Sequence, residues 1–293
     1  SQAVCDYAAW ASRRLDAALT LLHVLDPQRY PQQRDFSGSI GLGSREHLLD
    51  ELALLDQQRH RLAMEQGRLM LEAARDRVHA DGVAQVQLRQ RHGDLLDNLL
   101  ELQDDTRLLV IGRQGARSSA HLQQLGSHLE SVIRAVQRPI LVSCGEFKPP
   151  QSYLLAYDGS PTAQHSLQRI AASPLLQGLP CHLLLVGNAS DAQYALLEDA
   201  AAQLAGSASQ VSWAIRQGDV EQALPAYQAE QQLDLLVMGA YGHSRLRQFL
   251  LGSTTSALRV PVLKATARPA AGGNRRQRAT AQPMSGASTA NAT

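Results

Sequence analysis

The chain repeats itself. LLVIGRQG at 108–115 returns as LLVMGAYG at 235–242, an offset of 127 residues. Gly93 and Asp94 return as Gly218 and Asp219, an offset of 125, and Val24 falls opposite Val186, an offset of 162. A period this long is a whole domain rather than a solenoid unit. The chain must therefore build one unit twice. The offsets 162 and 125 differ by 37, so the first copy carries about 37 extra residues between its second and third strands.

Apolar runs at 19–25, 107–111, 139–143, 153–157, 182–186, 210–216, 235–238 and 261–264 read as strands, and 83–89 alternates like one. Helices are expected at 1–15, 45–80, 93–103, 127–136, 162–172, 191–204 and 219–231, with 27–43 a loop. Alternating strands and helices imply a parallel sheet covered on both faces. The expected class is α/β: two tandem Rossmann-like domains, each a doubly wound five-stranded parallel sheet in the order 3-2-1-4-5. Residues 1–145 make domain 1, with a helical insertion at about 45–80. Residues 152–265 make domain 2, after a linker containing Pro149 and Pro150. The stretch 266–293 has four arginines, no acid and few apolar side chains, and is expected to be disordered. Ser1 aligns near Pro161, so the first copy's equivalent of 153–160 falls before residue 1. Domain 1 is thus expected to lack its first strand, and the chain to be N-terminally truncated.

A net charge of +1 argues against general attraction to nucleic acid or membrane, and no apolar run reaches transmembrane length. Cys5, Cys144 and Cys181 form no CxxC pair, which suits a reducing cytoplasm better than a disulfide framework. The ten histidines include no HExxH, so no protein-held metal site is expected.

In a 3-2-1-4-5 sheet, strands one and four flank the point where strand order reverses, and ligands bind at their carboxyl ends. In the second copy those ends are Asp158 and Gly239. Asp158 could accept from an adenine amino group or a ribose hydroxyl; the alternative is an Asx turn before Gly159. Gly239 and Gly242 would let backbone close over sugar and phosphate. Gly252, Ser253 and Thr254 would offer amides and hydroxyls at the start of the last helix, where the dipole favours an anion. The alternative for these glycines is turn and cap chemistry. Arg245 and Arg247 could reach phosphate, or be solvated loop charges, and His243 reads as a loop residue. Asp158, Gly159 and Ser160 are not a nucleophile elbow, which needs glycines on both sides of the serine. No catalytic residue is assigned.

At these residues the chain resembles the universal stress protein family. The family pattern is glycine, two residues, glycine, nine residues, glycine, then serine or threonine. Gly239, Gly242, Gly252 and Ser253 match it without a gap, and YLLAYDGS at 153–160 resembles the family's first strand. The first copy spaces Gly112, Gly115 and Gly126 one residue longer. The resemblance covers both halves and implies a tandem member that binds ATP in domain 2; magnesium could be held there through the phosphates. It implies that Asp158 meets adenine, that a backbone group near Val186 lies beside the base, and that the loop with Ser253 and Thr254 holds ribose and phosphates. It further implies that the halves pack as an internal pseudo-dimer. A stress-response regulator follows better than an efficient enzyme, because no P-loop lysine or base for water is visible. A slow nucleotide hydrolase and a nucleotide-free tandem scaffold with an unknown protein partner are the alternatives.

Leu48, Leu55, Leu62 and Leu69 recur every seven residues. The seam between them holds Leu52, Arg59, Gln66 and Ala73, too polar for a continuous zipper. A helix packed on its own domain is therefore expected.

Overall fold

The computed structural model describes residues 2–25, 42–112, 122–239 and 261–265, with backbone alone for 42–49 and 122–128. In the first half α1 (Gln2–Leu15), β1 (Leu19–Leu25), α2 (Leu42–Ala80), β2 (Val86–His92), α3 (Leu95–Leu102), β3 (Leu109–Gly112), α4 (Leu122–Ala135) and β4 (Ile140–Ser143) follow one another. The second half runs β5 (Tyr153–Ala156), α5 (Pro161–Ala171), β6 (Cys181–Val186), α6 (Asp191–Leu204), β7 (Val211–Arg216), α7 (Val220–Glu230), β8 (Leu235–Met238) and β9 (Val262–Lys264).

The strands form one seven-stranded sheet, β3-β4-β9-β8-β5-β6-β7, and a separate parallel pair, β1-β2. Read from β7 to β9, the second half has the order 3-2-1-4-5, all parallel. The first half departs from a single five-stranded sheet of its own. Its β3 and β4 extend the second half's sheet, because β4 pairs antiparallel with β9 (Ile140 opposite Lys264, Val142 opposite Val262). Among the described residues no strand joins β1 to β3.

Alternate residues along each central strand face opposite layers. Leu155, Leu183, Leu235 and Leu263 pack with Tyr7 and Trp10 of α1 and Leu167 of α5. Leu154, Leu184, Leu236 and Val262 pack with Ile133 of α4 and Leu224 of α7. With both faces covered, β8 is apolar and buried at all four positions, as a central parallel strand must be.

The repeated glycine–aspartate pairs have one local job. Gly93 and Gly218 take φ values of +104° and +110°, turning the chain out of β2 and β7. Asp94 and Asp219 then cap α3 and α7: the Asp94 carboxylate accepts from the Leu96 amide at 2.7 Å, and that of Asp219 from the Glu221 amide at 2.8 Å.

Three expectations shift. The strand expected at 83–89 begins at Val86, because Gly82 (φ +87°) ends α2 and the Val83 amide returns to the Val78 carbonyl at 3.0 Å. α4 begins at Leu122, so Gly126 lies inside the helix rather than at its start. The insertion is not an added helix: α2 is the crossover between β1 and β2, with 39 residues against 14 in its counterpart α6. The remaining extra residues fall in 26–41, outside the described residues. The stretch 266–293, expected to be disordered, also lies outside them.

α2 packs on its own half through Ala63, Gly67, Leu71 and Val78. Three of the heptad leucines point the other way: Leu55, Leu62 and Leu69 are 48%, 71% and 53% exposed, while the side chain of Leu48 lies outside those described. The helix packs on its own half as expected, but through the face opposite these leucines. Around a helix, Leu62 and Leu71 stand half a turn apart, so burying one exposes the other. Gly67 permits the close approach to β1 and β2, since a Cβ there would lie 2.6 Å from both the His23 ring and Gln90 Nε2. Gln90 Nε2 also donates to the Met64 carbonyl at 3.0 Å. Gly67→Val is therefore expected to lower stability by about 2–3 kcal/mol through overpacking. A urea unfolding midpoint unchanged from wild type would contradict that packing role.

Candidate functional site

β5 delivers Asp158 to the carboxyl end of the sheet. The Tyr157 amide still pairs with the Leu184 carbonyl at 3.0 Å, and the chain leaves the sheet one residue later. Gly159 then takes φ +71°, where a side chain would be strained and where a Cβ would lie 2.4 Å from Leu196 Cδ2. The Ser160 hydroxyl accepts from the Ala163 amide at 3.2 Å and caps α5, with Pro161 in its first turn. Asp158 Oδ1 accepts from the Ser160 amide at 3.1 Å. The Asx turn weighed from the sequence is therefore present. It engages one carboxylate oxygen, and Asp158 itself is exposed.

Gly239 directly follows β8, which pairs with β5. A Cβ on it would lie 3.3 Å from Ser166 Oγ and 3.9 Å from Ala163 Cα. Gly239 thus lets α5 approach the end of β8. The Ser166 hydroxyl is buried here without a hydrogen-bond partner among the described residues.

Between these ends lies a cavity of about 610 Å³. Asp158, Ser160 and Pro161 stand on one side, with Gly239 and Met238 on another. Leu184 and Val186 of β6, Ala156 of β5, and Val220 and Leu224 of α7 supply apolar wall. The volume is that of a small-molecule site, and its few polar groups over an apolar slot suit a flat heterocycle with a polar edge. The N-terminus of α5 borders the cavity through Ser160, Pro161, Thr162 and Ala163, so the helix dipole favours negative charge there. Burial pushes the neighbouring Tyr157 hydroxyl upward, with Asp158 and Asp199 adding to the shift, so it stays a neutral donor at neutral pH.

Asp158, Val186 and Gly239, predicted from distant parts of the sequence, line this one cavity. Gly242, Arg245, Arg247, Gly252, Ser253 and Thr254 lie in 240–260, outside the described residues. The apolar wall was missed, although a signal existed: Leu184 and Val186 share a face of β6, and Val220 starts the helix that Asp219 caps. Among the described residues no cluster of three or more His, Cys, Asp or Glu could hold a metal, and no helix is long and apolar enough to cross a membrane.

Comparison with known proteins agrees in both halves. The universal stress protein family model matches residues 1–143 and again 151–259. The universal stress protein Slr1230 of Synechocystis is 34% identical over 267 residues, covering 90% of this chain and 92% of its own. The crystal structure of a universal stress protein from Archaeoglobus fulgidus covers 90% of each chain at 18% identity, with a TM-score of 0.60. A universal stress protein solved in complex with cAMP covers 41% of this chain and 98% of its own, at 23% identity and a TM-score of 0.34.

Proposed function

The chain belongs to the universal stress protein family, and from that premise we propose that its second half binds ATP in the cavity between Asp158 and Gly239. One observation carries the reading: three sequence-distant positions, Asp158, Val186 and Gly239, converge on one cavity at the carboxyl ends of adjacent parallel strands. That is where strand order reverses, between β5 and β8. Adenine lies against Val186, Leu184 and Leu224, with its amino group toward the free oxygen of Asp158. The loop with Gly242, Gly252, Ser253 and Thr254 takes ribose and phosphates, Arg245 and Arg247 add charge, and magnesium arrives on the phosphates. The protein acts in the cytoplasm as a stress-response regulator, with ATP as the signal rather than as an efficiently hydrolysed substrate. The two halves work as an internal pseudo-dimer joined through β4 and β9, whose antiparallel pairing supports this arrangement.

Calorimetric titration of the full chain tests the site, with ATP, ADP and cAMP as separate ligands and magnesium present. ATP should bind the wild type at one site. Asp158→Ala should weaken binding roughly tenfold, and Gly242→Val by more, as expected for losing a hydrogen-bond partner and a close backbone approach. Absence of ATP binding, or equal affinity in both variants, would overturn the assignment. A specific observation favours a second reading, a nucleotide-free interaction scaffold: the apolar face that α2 turns to solvent.

A further inference from the structure

We propose that α2 is a self-association helix, pairing antiparallel with α2 of a second copy of this chain about a two-fold axis at Leu62. Among the described side chains of α2, which begin at Asp50, the exposed large apolar ones are Leu54, Leu55, Leu62, Leu69 and Met70. Their positions are symmetric about Leu62, at seven and eight residues to either side. A helix rises about 1.5 Å per residue, so the flanking pairs stand roughly 10–12 Å from the centre in each direction. Reversing a second copy about Leu62 brings Leu55 level with Leu69 of the second copy, and Leu54 level with Met70 of the second copy. Leu62 meets itself.

The polar residues between them follow the same symmetry. Arg59 and Glu65 stand three residues either side of Leu62, and Gln58 and Gln66 four. Antiparallel pairing therefore sets Arg59 level with Glu65 of the second copy, twice, and Gln58 level with Gln66 of the second copy. A parallel zipper in register would set Arg59 against Arg59 and Glu65 against Glu65. Like charges across a helix seam select against a pairing, and opposite charges select for it. The polar seam that argued against a heptad zipper thus rejects only the parallel form.

The rest of the helix leaves this face free. Ala63, Gly67, Leu71 and Val78 hold the opposite face, and Arg77 pairs with Asp6 of α1 at 2.9 Å. Side chains at 65, 68 and 72 are tied to one another along the helix (Arg68 to Glu65 and Glu72 at 2.6 Å), which keeps the flank ordered without covering the leucines. The five apolar side chains expose on the order of 500 Å², the upper end for a monomer's largest patch. Two copies bury about twice that, which with the polar flanks approaches the area of a modest specific interface.

Sedimentation velocity of the full chain over a wide concentration range should give a concentration-dependent dimer. Leu62→Glu should leave a monomer with unchanged circular dichroism and unchanged ATP binding, since the side chain points away from the core. Arg59→Glu should weaken dimerisation about tenfold, and Arg59→Glu combined with Glu65→Arg should restore it. Orientation is read by cysteine cross-linking in a Cys5→Ser background. A mixture of Leu55→Cys and Leu69→Cys chains should cross-link 55 to 69. A monomer at every concentration, a dimer that survives Leu62→Glu, or cross-links of 55 to 55 alone would each overturn the proposal. So would a monomeric wild type whose binding to anionic lipid vesicles is lost in Leu62→Glu.

Discussion

Replacing Lys264 by alanine is expected to destabilise the chain by about 3 kcal/mol, through two unpaired helix carbonyls and the cavity left by the alkyl stem. Lys264 stands on β9 and is 2% exposed. Its ammonium crosses from the second half to the first, donating to the Ile133 carbonyl and to the Val136 carbonyl at 3.1 Å, at the C-terminal end of α4. The helix dipole and the orphan carbonyls favour a cation there, while burial opposes it and pulls the amine down from 10.5 to about 8. Lys264→Met keeps the volume and removes the buried charge but leaves the same two carbonyls unpaired, so it should cost less than alanine by about the cavity's share, roughly 1–2 kcal/mol. The two variants separate on pH. Between about 8 and 10.5 the unfolded lysine holds a proton that the folded one has released. Wild-type stability relative to Lys264→Met should therefore rise with pH across that window. Denaturant melts at pH 7.5 and 9.5 measure it, and a difference that stays flat would mean the ammonium is not desolvated.

Local chemistry was legible in the sequence, and long-range pairing was not. β1, α6 and β8 occupy the spans their patterns predict, because a short apolar run or a capped amphipathic helix is decided by neighbours within a few residues. The glycine–aspartate pairs announced their turns because Gly93 and Gly218 carry positive φ and Asp94 and Asp219 a capping carboxylate. The alternation of strands and helices pointed to the doubly wound order of the second half, and with it the meeting of Asp158 and Gly239, while Val186 came from the family resemblance. The joining of β4 to β9, by contrast, depends on residues more than a hundred positions apart with no spacing rule between them. The leucine spacing on α2 marked a face but not which way it turned. That was decided by Gly67, whose fit against His23 and Gln90 depends on three elements at once. Gly126 misled for a related reason: a glycine–serine pair can start a helix or lie within one, and α4 extends through it.

Filling the cavity should separate binding there from binding elsewhere. Ala156 ends β5 and is half-buried, with the cavity beside it. Ala156→Trp adds a large ring to a space of about 610 Å³ that has room for it. The strand keeps its backbone pairing, since a side chain does not enter the ladder, and tryptophan suits a strand. Stability should change by less than about 1 kcal/mol, because the ring occupies existing space instead of overpacking a closed core. ATP affinity should fall about a hundredfold or more, since the indole takes the slot proposed for adenine between Leu184, Val186 and Leu224. Asp158→Ala is milder, because one of that carboxylate's oxygens is already spent on the Ser160 amide and only the other is left for a ligand. The order of effects is therefore diagnostic: a cavity site loses far more to Ala156→Trp than to Asp158→Ala. If ATP binds Ala156→Trp as it binds wild type while the melt is unchanged, the nucleotide sits elsewhere, and the convergence of Asp158, Val186 and Gly239 serves only turn and packing.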